Sequence, residues 1–304
     1  MPSRILIEGG DAAVRERIQQ WFDATELAPP RPLRIELVTD ADIPPAPVDP
    51  PIFEQPEIAI FRAPSGDVQL RWTSAPAVAD LPAEGDLATL RISTAAAGDL
   101  GRCCHYLGSM LLIFLLRRVG WHHLHAVSAI DPAGRAWLLA GDWKAGKSTT
   151  AALLASSGWA VGTDDMVFLA RGAGGIEAIA KRAPIALRPG GRALLGRLGG
   201  KFDAQRDKTL FTPEELGGRW AQVIRPDILV FISVGDAETT MKRISAGEVL
   251  SQLVRWSAWV ILEPRLAQEH LDVLAELGRQ ARCLRGTLGR DLFERPNLLL
   301  DLVS

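Results

Sequence analysis

Cysteine is scarce in this chain, and its scarcity removes two structural strategies at once. The three cysteines among 304 residues, Cys103, Cys104 and Cys283, are too few and too badly spaced for a disulfide framework or for a zinc site built from two close ligand pairs. A reducing, cytoplasmic setting is the expectation that follows. An excess of charge of one sign is also missing. With 34 Lys and Arg against 36 Asp and Glu, the net charge is -2, so composition supplies no general attraction to nucleic acid or to an anionic membrane, and neither is expected as a partner. Long apolar runs are lacking as well. The most apolar stretch, residues 107–116, has about half the roughly 20 residues needed to span a bilayer and runs straight into Arg117 and Arg118, which predicts a buried helix. The opening MPSRILIEGGDAAVRER has no apolar core of signal-peptide length, so secretion is not expected.

What is present is an ordinary globular composition, 47% apolar and 23% charged, able to bury a core. The texture predicts two domains. Residues 1–98 read as a small α+β domain: strands over 4–7, 33–38, 57–62, 68–72 and 88–92, a helix over 12–22, and a loop over 40–56 in which repeated proline blocks regular structure. Residues 99–304 read as an α/β domain, beginning with a helix over 100–118 ended by Gly120 and apolar strands over 124–130 and 136–140. His122 and His123, at the junction, are expected to cap that helix.

The second of those strands leads into Gly141-Asp142-Trp143-Lys144-Ala145-Gly146-Lys147-Ser148, a full match to the phosphate-binding pattern G-x-x-x-x-G-K-[ST]. Strand before and helix after (147–157, stopped by Gly158) are the context that such a loop needs. Glycines let consecutive N–H groups turn inward to phosphate oxygens, and the helix N-terminus adds its positive dipole end. Lys147 brings a full charge for the β- and γ-phosphates, Ser148 a hydroxyl for Mg²⁺, and Thr149 completes the set; ATP and Mg²⁺ are the expected ligands. Lys144 reads equally as a phosphate contact or a solvated loop lysine.

A strand over 159–163 then ends in Asp164-Asp165, with apolar residues 166–169 following. Two adjacent carboxylates among apolar residues are costly without a cation. A parallel crossover would bring them to the sheet edge that carries the loop, where one carboxylate could hold Mg²⁺ and the other accept a proton from an attacking hydroxyl. A turn or cap is the bland alternative for such a pair.

The sequence Leu124-His125-Ala126, the loop 141–148 and Gly162-Thr163-Asp164-Asp165-Met166-Val167 together resemble the HPr serine kinase/phosphorylase family and its kinase-like relatives, among them enzymes that phosphorylate lasso peptides. The resemblance spans residues 125–169. It implies a P-loop kinase core related to that of phosphoenolpyruvate carboxykinase, in which Lys147 and the loop amides bind the triphosphate, Ser148 with Asp165 holds Mg²⁺, and Asp164 is the base toward a serine-like hydroxyl. His125 matches a histidine near the family's active site, although a lone strand histidine is equally a hydrogen-bonded core residue. Trp143 stands where the family has a small residue, and the family's glycine-rich phosphorolysis signature is absent, so HPr itself is not the expected acceptor.

Further along, a strand over 184–189, a short helix over 193–198, a segment 202–211, a helix cap at Thr212, a strand over 227–234, helices over 246–262 and 266–282, a strand over 283–288 and a terminal helix over 296–302 complete the reading. Arg188 and Lys208 are candidate cations for the departing phosphate, or plain surface charges. The function expected is transfer of a phosphoryl group from ATP to a hydroxyl on a peptide, protein or small molecule, with a homo-oligomer compatible. A nucleotide-binding regulatory protein or a simple ATPase is the alternative.

Overall fold

The computed structural model describes residues 4–194, 200–204, 207–235 and 238–303. The chain is a mixed α/β protein with sheets of seven, ten and three strands, and it divides into two compact units, one formed by Met1–Trp121 with Ile261–Leu266 and one by His122–Val260 with Ala267–Ser304.

In the first unit β1 (Ile5–Gly9), α1 (Ala12–Asp23) and β2 (Leu33–Thr39) form a parallel crossover. Asp11 caps α1 by accepting from the N–H groups of Ala13 and Val14, both at 3.0 Å, which satisfies two of the helix's orphan donors. The chain then runs through β3 (Phe53–Gln55), β4 (Ile58–Arg62), β5 (Val68–Trp72), β6 (Ala77–Leu81) and β7 (Leu87–Ile92), giving the sheet order β1-β2-β7-β6-β5-β4-β3. Strands β3 and β6 are absent from the sequence-based expectation: β3 is too short for a period, and β6 is buried at most positions and so hardly alternates. The proline-rich stretch has no regular element from Ala41 to Pro51 and is tied down by Arg71, whose guanidinium donates to the carbonyl of Pro44 at 2.6 Å.

After α2 (Thr94–Ala97), the apolar helix comprises α3 (Leu100–Cys103), a π-helical turn (Cys104–Gly108) and α4 (Ser109–Arg117). Its 18 residues are long and apolar enough to cross a membrane, but 72% of them are buried inside the protein, as in a core helix. This helix belongs to the first unit, whereas the sequence placed it at the start of the second. Arg117 and Arg118 at its end are buried around the carboxylate of Glu263, at 3.3 and 3.5 Å, so the segment Ile261–Leu266 returns to this unit as its counter-charge.

The second unit is built on β8 (His122–Ile130), β9 (Ala136–Gly141), α5 (Lys147–Ser156), β10 (Ala160–Thr163), β11 (Met166–Gly172) and β12 (Gly175–Ala180). Next come β13 (Ile185–Leu187), α6 (Pro189–Leu194), β14 (Lys201–Asp203) and β15 (Lys208–Phe211), the three strands pairing antiparallel in the order β13-β15-β14. Residues 195–198 of the expected helix over 193–198 lie outside the described residues. The rest of the unit is β16 (Arg219–Trp220), β17 (Val223–Ile224), β18 (Ile228–Val234), β19 (Thr240–Arg243), α7 (Ala246–Trp256), α8 (Pro264–Gln280, here from Ala267), β20 (Arg282–Leu288), α9 (Asp291–Glu294) and α10 (Leu298–Val303). Thr212 and Glu215 do bond reciprocally, but they close a turn rather than a helix.

Strands β9, β18 and β20 are parallel neighbours at the middle of the ten-stranded sheet. Strands β9 and β18 are buried and apolar on both faces over most of their length, as central parallel strands must be, whereas β20 buries one face only. Trp137, Leu139, Val230 and Ile232 point into one layer with α5. Leu138, Ala140, Leu229 and Phe231 point into the other with Leu253 of α7 and Leu274 and Leu277 of α8. Period-two alternation on each strand thus fixes a helix–sheet–helix sandwich, and it leaves the loop after β9 at the sheet's rim.

Candidate functional site

Strand β9 ends at Gly141, and the chain turns through residues 142–146 into α5. Gly146 makes the last step at φ +86°, a left-handed conformation that disfavours any side chain. As the N-cap of α5 it offers no side chain to the helix, so the first-turn N–H groups have no side-chain cap, the arrangement that suits an anion. Lys147 is buried and donates to the carbonyls of Gly141 and Asp142, both at 2.8 Å. Its ammonium therefore lies across the mouth of the loop. Burial lowers its proton affinity, while Asp165, Asp164 and Asp142 act in the opposite direction. Asp142 itself turns outward to Arg255, 3.3 Å away. Ala145 is buried under the loop, and Thr149 on the first turn of α5 faces Gly191 of α6, where a Cβ would stand 2.6 Å from its Oγ1.

The aspartate pair reaches the same rim by register. Strand β8 pairs antiparallel with β9 on one side, Ala126 opposite Ala140. On its other side it pairs end to end with β10, Ser128 opposite Thr163, and with β11, His125 opposite Met166. Asp164 and Asp165 occupy the gap between β10 and β11, level with Val127 and Ala126, and so two strand spacings, roughly 10 Å, from the end of β9. The register shifts just before the gap, between Val161 and Thr163. Gly162 lies within that shift because a Cβ there would come within 2.3 Å of the Ala221 carbonyl and 2.4 Å of Ser128 Oγ, a bulge that re-aims the residues after it.

The two carboxylates have different surroundings. Asp164 is buried. Burial and then the charge of Asp165 raise its proton affinity, opposed by the Ser148 hydroxyl, the Ala186 backbone N–H and Lys208. Asp165 keeps 70% of its side-chain surface open and has His125 Nε2 at 2.9 Å from Oδ1. The protein packed around it works against its charge, but the hydrogen bond and charge of His125, with Lys181, prevail and hold it below the usual carboxylate range. His123 contributes no charge there at neutral pH, since burial lowers its own value to about 3.

These placements bear on three expectations. The expected metal partner of Ser148 is Asp165, but the hydroxyl is beside Asp164, because the buried carboxylate faces α5 while Asp165 turns toward His125. His125 is a partner of the pair and not a core histidine. His122 and His123 lie in β8 rather than at the helix end, His122 stacked on His270 with ring centres 4.5 Å apart and His123 accepting from Trp259 Nε1 at 2.7 Å. Lys208 is near Asp164. Arg188 lies 4.8 Å from the centre of the Trp143 ring, which is 64% exposed and carries Lys144 Nζ at 4.3 Å. Lys181 and the Ala186 N–H went unnoticed in the sequence because each depends on strand pairing; the one signal was a basic pair, Lys181-Arg182, ending an apolar strand.

No family model matches the chain, and no curated protein matches it either.

Proposed function

We propose that this chain is an ATP- and Mg²⁺-dependent kinase acting on a hydroxyl, on a P-loop core of the HPr kinase/phosphoenolpyruvate carboxykinase type, working in the cytoplasm. The observation that carries the reading is the row across the sheet rim: the loop after Gly141, the buried Asp164 beside Ser148, and the open Asp165 beside His125. The residues present fit both ligands. An α5 terminus without a side-chain cap and a lysine laid over its own loop carbonyls suit a polyphosphate. A buried carboxylate of raised proton affinity next to a hydroxyl suits a divalent cation. Among the described residues no cluster of three or more His, Cys, Asp or Glu could hold a metal alone, which accords with Mg²⁺, whose ligands are usually one or two side chains plus phosphates and water.

When bound, ATP and Mg²⁺ supply the γ-phosphoryl group and the charge that screens it. Lys147 and the first-turn amides of α5 hold the phosphates, and Ser148 with Asp164 holds the cation. Asp165, kept ionised and oriented by His125, accepts the hydrogen bond of the acceptor hydroxyl. The proton leaves that hydroxyl for Asp165, the phosphoryl group passes to the oxygen it vacates, and ADP is the other product. Phosphoryl transfer through a loose transition state asks more for orientation than for a strong base, so a low proton affinity at Asp165 is no obstacle. The roles of the two aspartates are thus exchanged relative to the family resemblance. A simple ATPase is the second reading, favoured by the exposure of Asp165 to water.

The test is a titration with a non-hydrolysable ATP analogue, with and without Mg²⁺, followed by labelled transfer from ATP. Lys147→Ala should lose about 100-fold in nucleotide affinity, since hydrogen bonds from a charged donor contribute about 1.5–3 kcal/mol each. Asp164→Asn should lose the Mg²⁺ dependence. Asp165→Asn should keep binding and lose about 10²–10⁴ in turnover. A wild-type protein that ignores the analogue would end the proposal.

A further inference from the structure

The stretch 181–208, which runs from the end of β12 through β13, α6 and β14 into β15, holds eight Lys and Arg against two Asp. It therefore carries +6 in a chain whose total is -2, leaving -8 for all other residues. Arg197 and Arg206 of that stretch lie outside the described residues. Lys208 and Lys181 are close enough to Asp164 and Asp165 to favour their charged forms, so the basic stretch borders the proposed reaction centre.

Arg188 is an exposed cation of this stretch that touches the loop, and among the described residues it makes no ion pair. Its guanidinium rests instead on Trp143, and Lys144 Nζ lies by the same ring. Each lies within 4.8 Å of one ring centre, so the two cations are at most about 9 Å apart. The ring's negative face compensates them only in part. The phosphate loop has its own donors in Lys147 and the α5 amides, which leaves Arg188 surplus to the triphosphate. A planar guanidinium held 4.8 Å from the centre of an indole keeps N–H donors for a bidentate contact with a carboxylate or phosphate.

We propose that the acceptor is an anion, bearing a carboxylate or phosphate near its hydroxyl, and that Arg188, positioned by Trp143, recognises that group. The proposal rests on the kinase reading for the word acceptor, but the anion preference can be measured by binding alone. Protein in Mg²⁺ and a non-hydrolysable ATP analogue is titrated calorimetrically with two pairs of probes: a serine octapeptide with flanking Asp against its Ala counterpart, and glycerol 3-phosphate against glycerol. The expected result is that at least one anion binds about tenfold or more tightly than its uncharged counterpart. Arg188→Gln should abolish that preference, Trp143→Leu should weaken it, and Trp143→Phe should restore it. Which pair responds tells a carboxylate-bearing peptide from a phosphorylated small molecule. Equal binding within both pairs, no binding of either anion, or a preference that survives in Arg188→Gln would overturn the proposal. So would a loss of analogue affinity in Arg188→Gln as large as the loss of anion affinity, since Arg188 would then belong to the triphosphate. Failure of wild-type protein to bind the analogue defeats the kinase reading instead, and the anion preference is then read from the same titrations without it.

Discussion

His125 Nε2 lies 2.9 Å from Asp165 Oδ1, and this contact follows from strand register rather than from sequence proximity. Because Met166 is paired with His125, the residue before Met166 must emerge beside the histidine. Removing the imidazole should therefore let the Asp165 proton affinity rise toward the ordinary carboxylate value of 3.8. A carboxylate held low stabilises the fold above its unfolded value, and the benefit disappears as pH falls through the native one. In His125→Gln, carbon NMR of the Asp165 carboxyl should show an upward shift, and the variant should be less stable than wild type above about pH 4, with the difference closing as pH falls below that value. An unmoved Asp165 titration would mean that the histidine does not set its charge.

Asp164 has the opposite sign. Its native proton affinity is raised, so its ionised form costs stability, in full above the native value and not at all below the unfolded value of 3.8. Asp164→Asn should raise the melting temperature at pH 7 to 8 and lose that advantage as pH drops toward 4, while Mg²⁺-dependent nucleotide binding is lost. A variant less stable than wild type at pH 7 would contradict the assignment of strain to this carboxylate.

His123 is buried and neutral, its value lowered to about 3 from 6.5, first by burial and then by the charge of His125. The unfolded chain takes up a proton at this residue that the native one refuses, so stability should decline as pH falls from about 6.5 to about 3, with a slope of about 1.4 kcal/mol per pH unit for the one proton. His123→Gln keeps an acceptor for the Trp259 N–H and should flatten the urea-midpoint profile over that window by one proton. An unchanged slope would exclude His123 as its source.

Glu263 is shared by two buried guanidiniums, Arg117 and Arg118, from a side chain that is itself 2% exposed. Taking away one partner of such a group leaves uncompensated buried charge, which typically costs about 3–5 kcal/mol. Urea unfolding of Glu263→Gln should show a loss of that order. A loss below about 1 kcal/mol would mean that water or another group already solvates the arginines.

Much of the local structure was legible in the sequence because it is short-range. Alternation and apolar runs marked β4, β5, β8, β9, β18 and α1, and the spacing Gly141 to Ser148 marked a strand–loop–helix turn with its lysine inside. Where the reading failed, a long-range partner decided. His122 and His123 looked like caps because they follow a helix and a glycine; strand pairing with β11 and the approach of His270 and Trp259 made them part of the sheet. The apolar helix looked like the opening of the second domain, but its end is neutralised by a glutamate about 146 positions later, which no local pattern reports.

By itself the sequence determined the strand–loop–helix turn from Gly141 to Ser148 and the presence of two adjacent acids soon after it, since these depend on residue type and on contacts within a single turn. Only the tertiary structure decided which acid meets Ser148, which meets His125, and that Arg188 leans on Trp143. The placing of the two acids follows from a one-residue bulge at Gly162 and from the register of β8 against β10 and β11. Register is set by the burial of whole strand faces, and a slip of one residue would exchange the surroundings of Asp164 and Asp165.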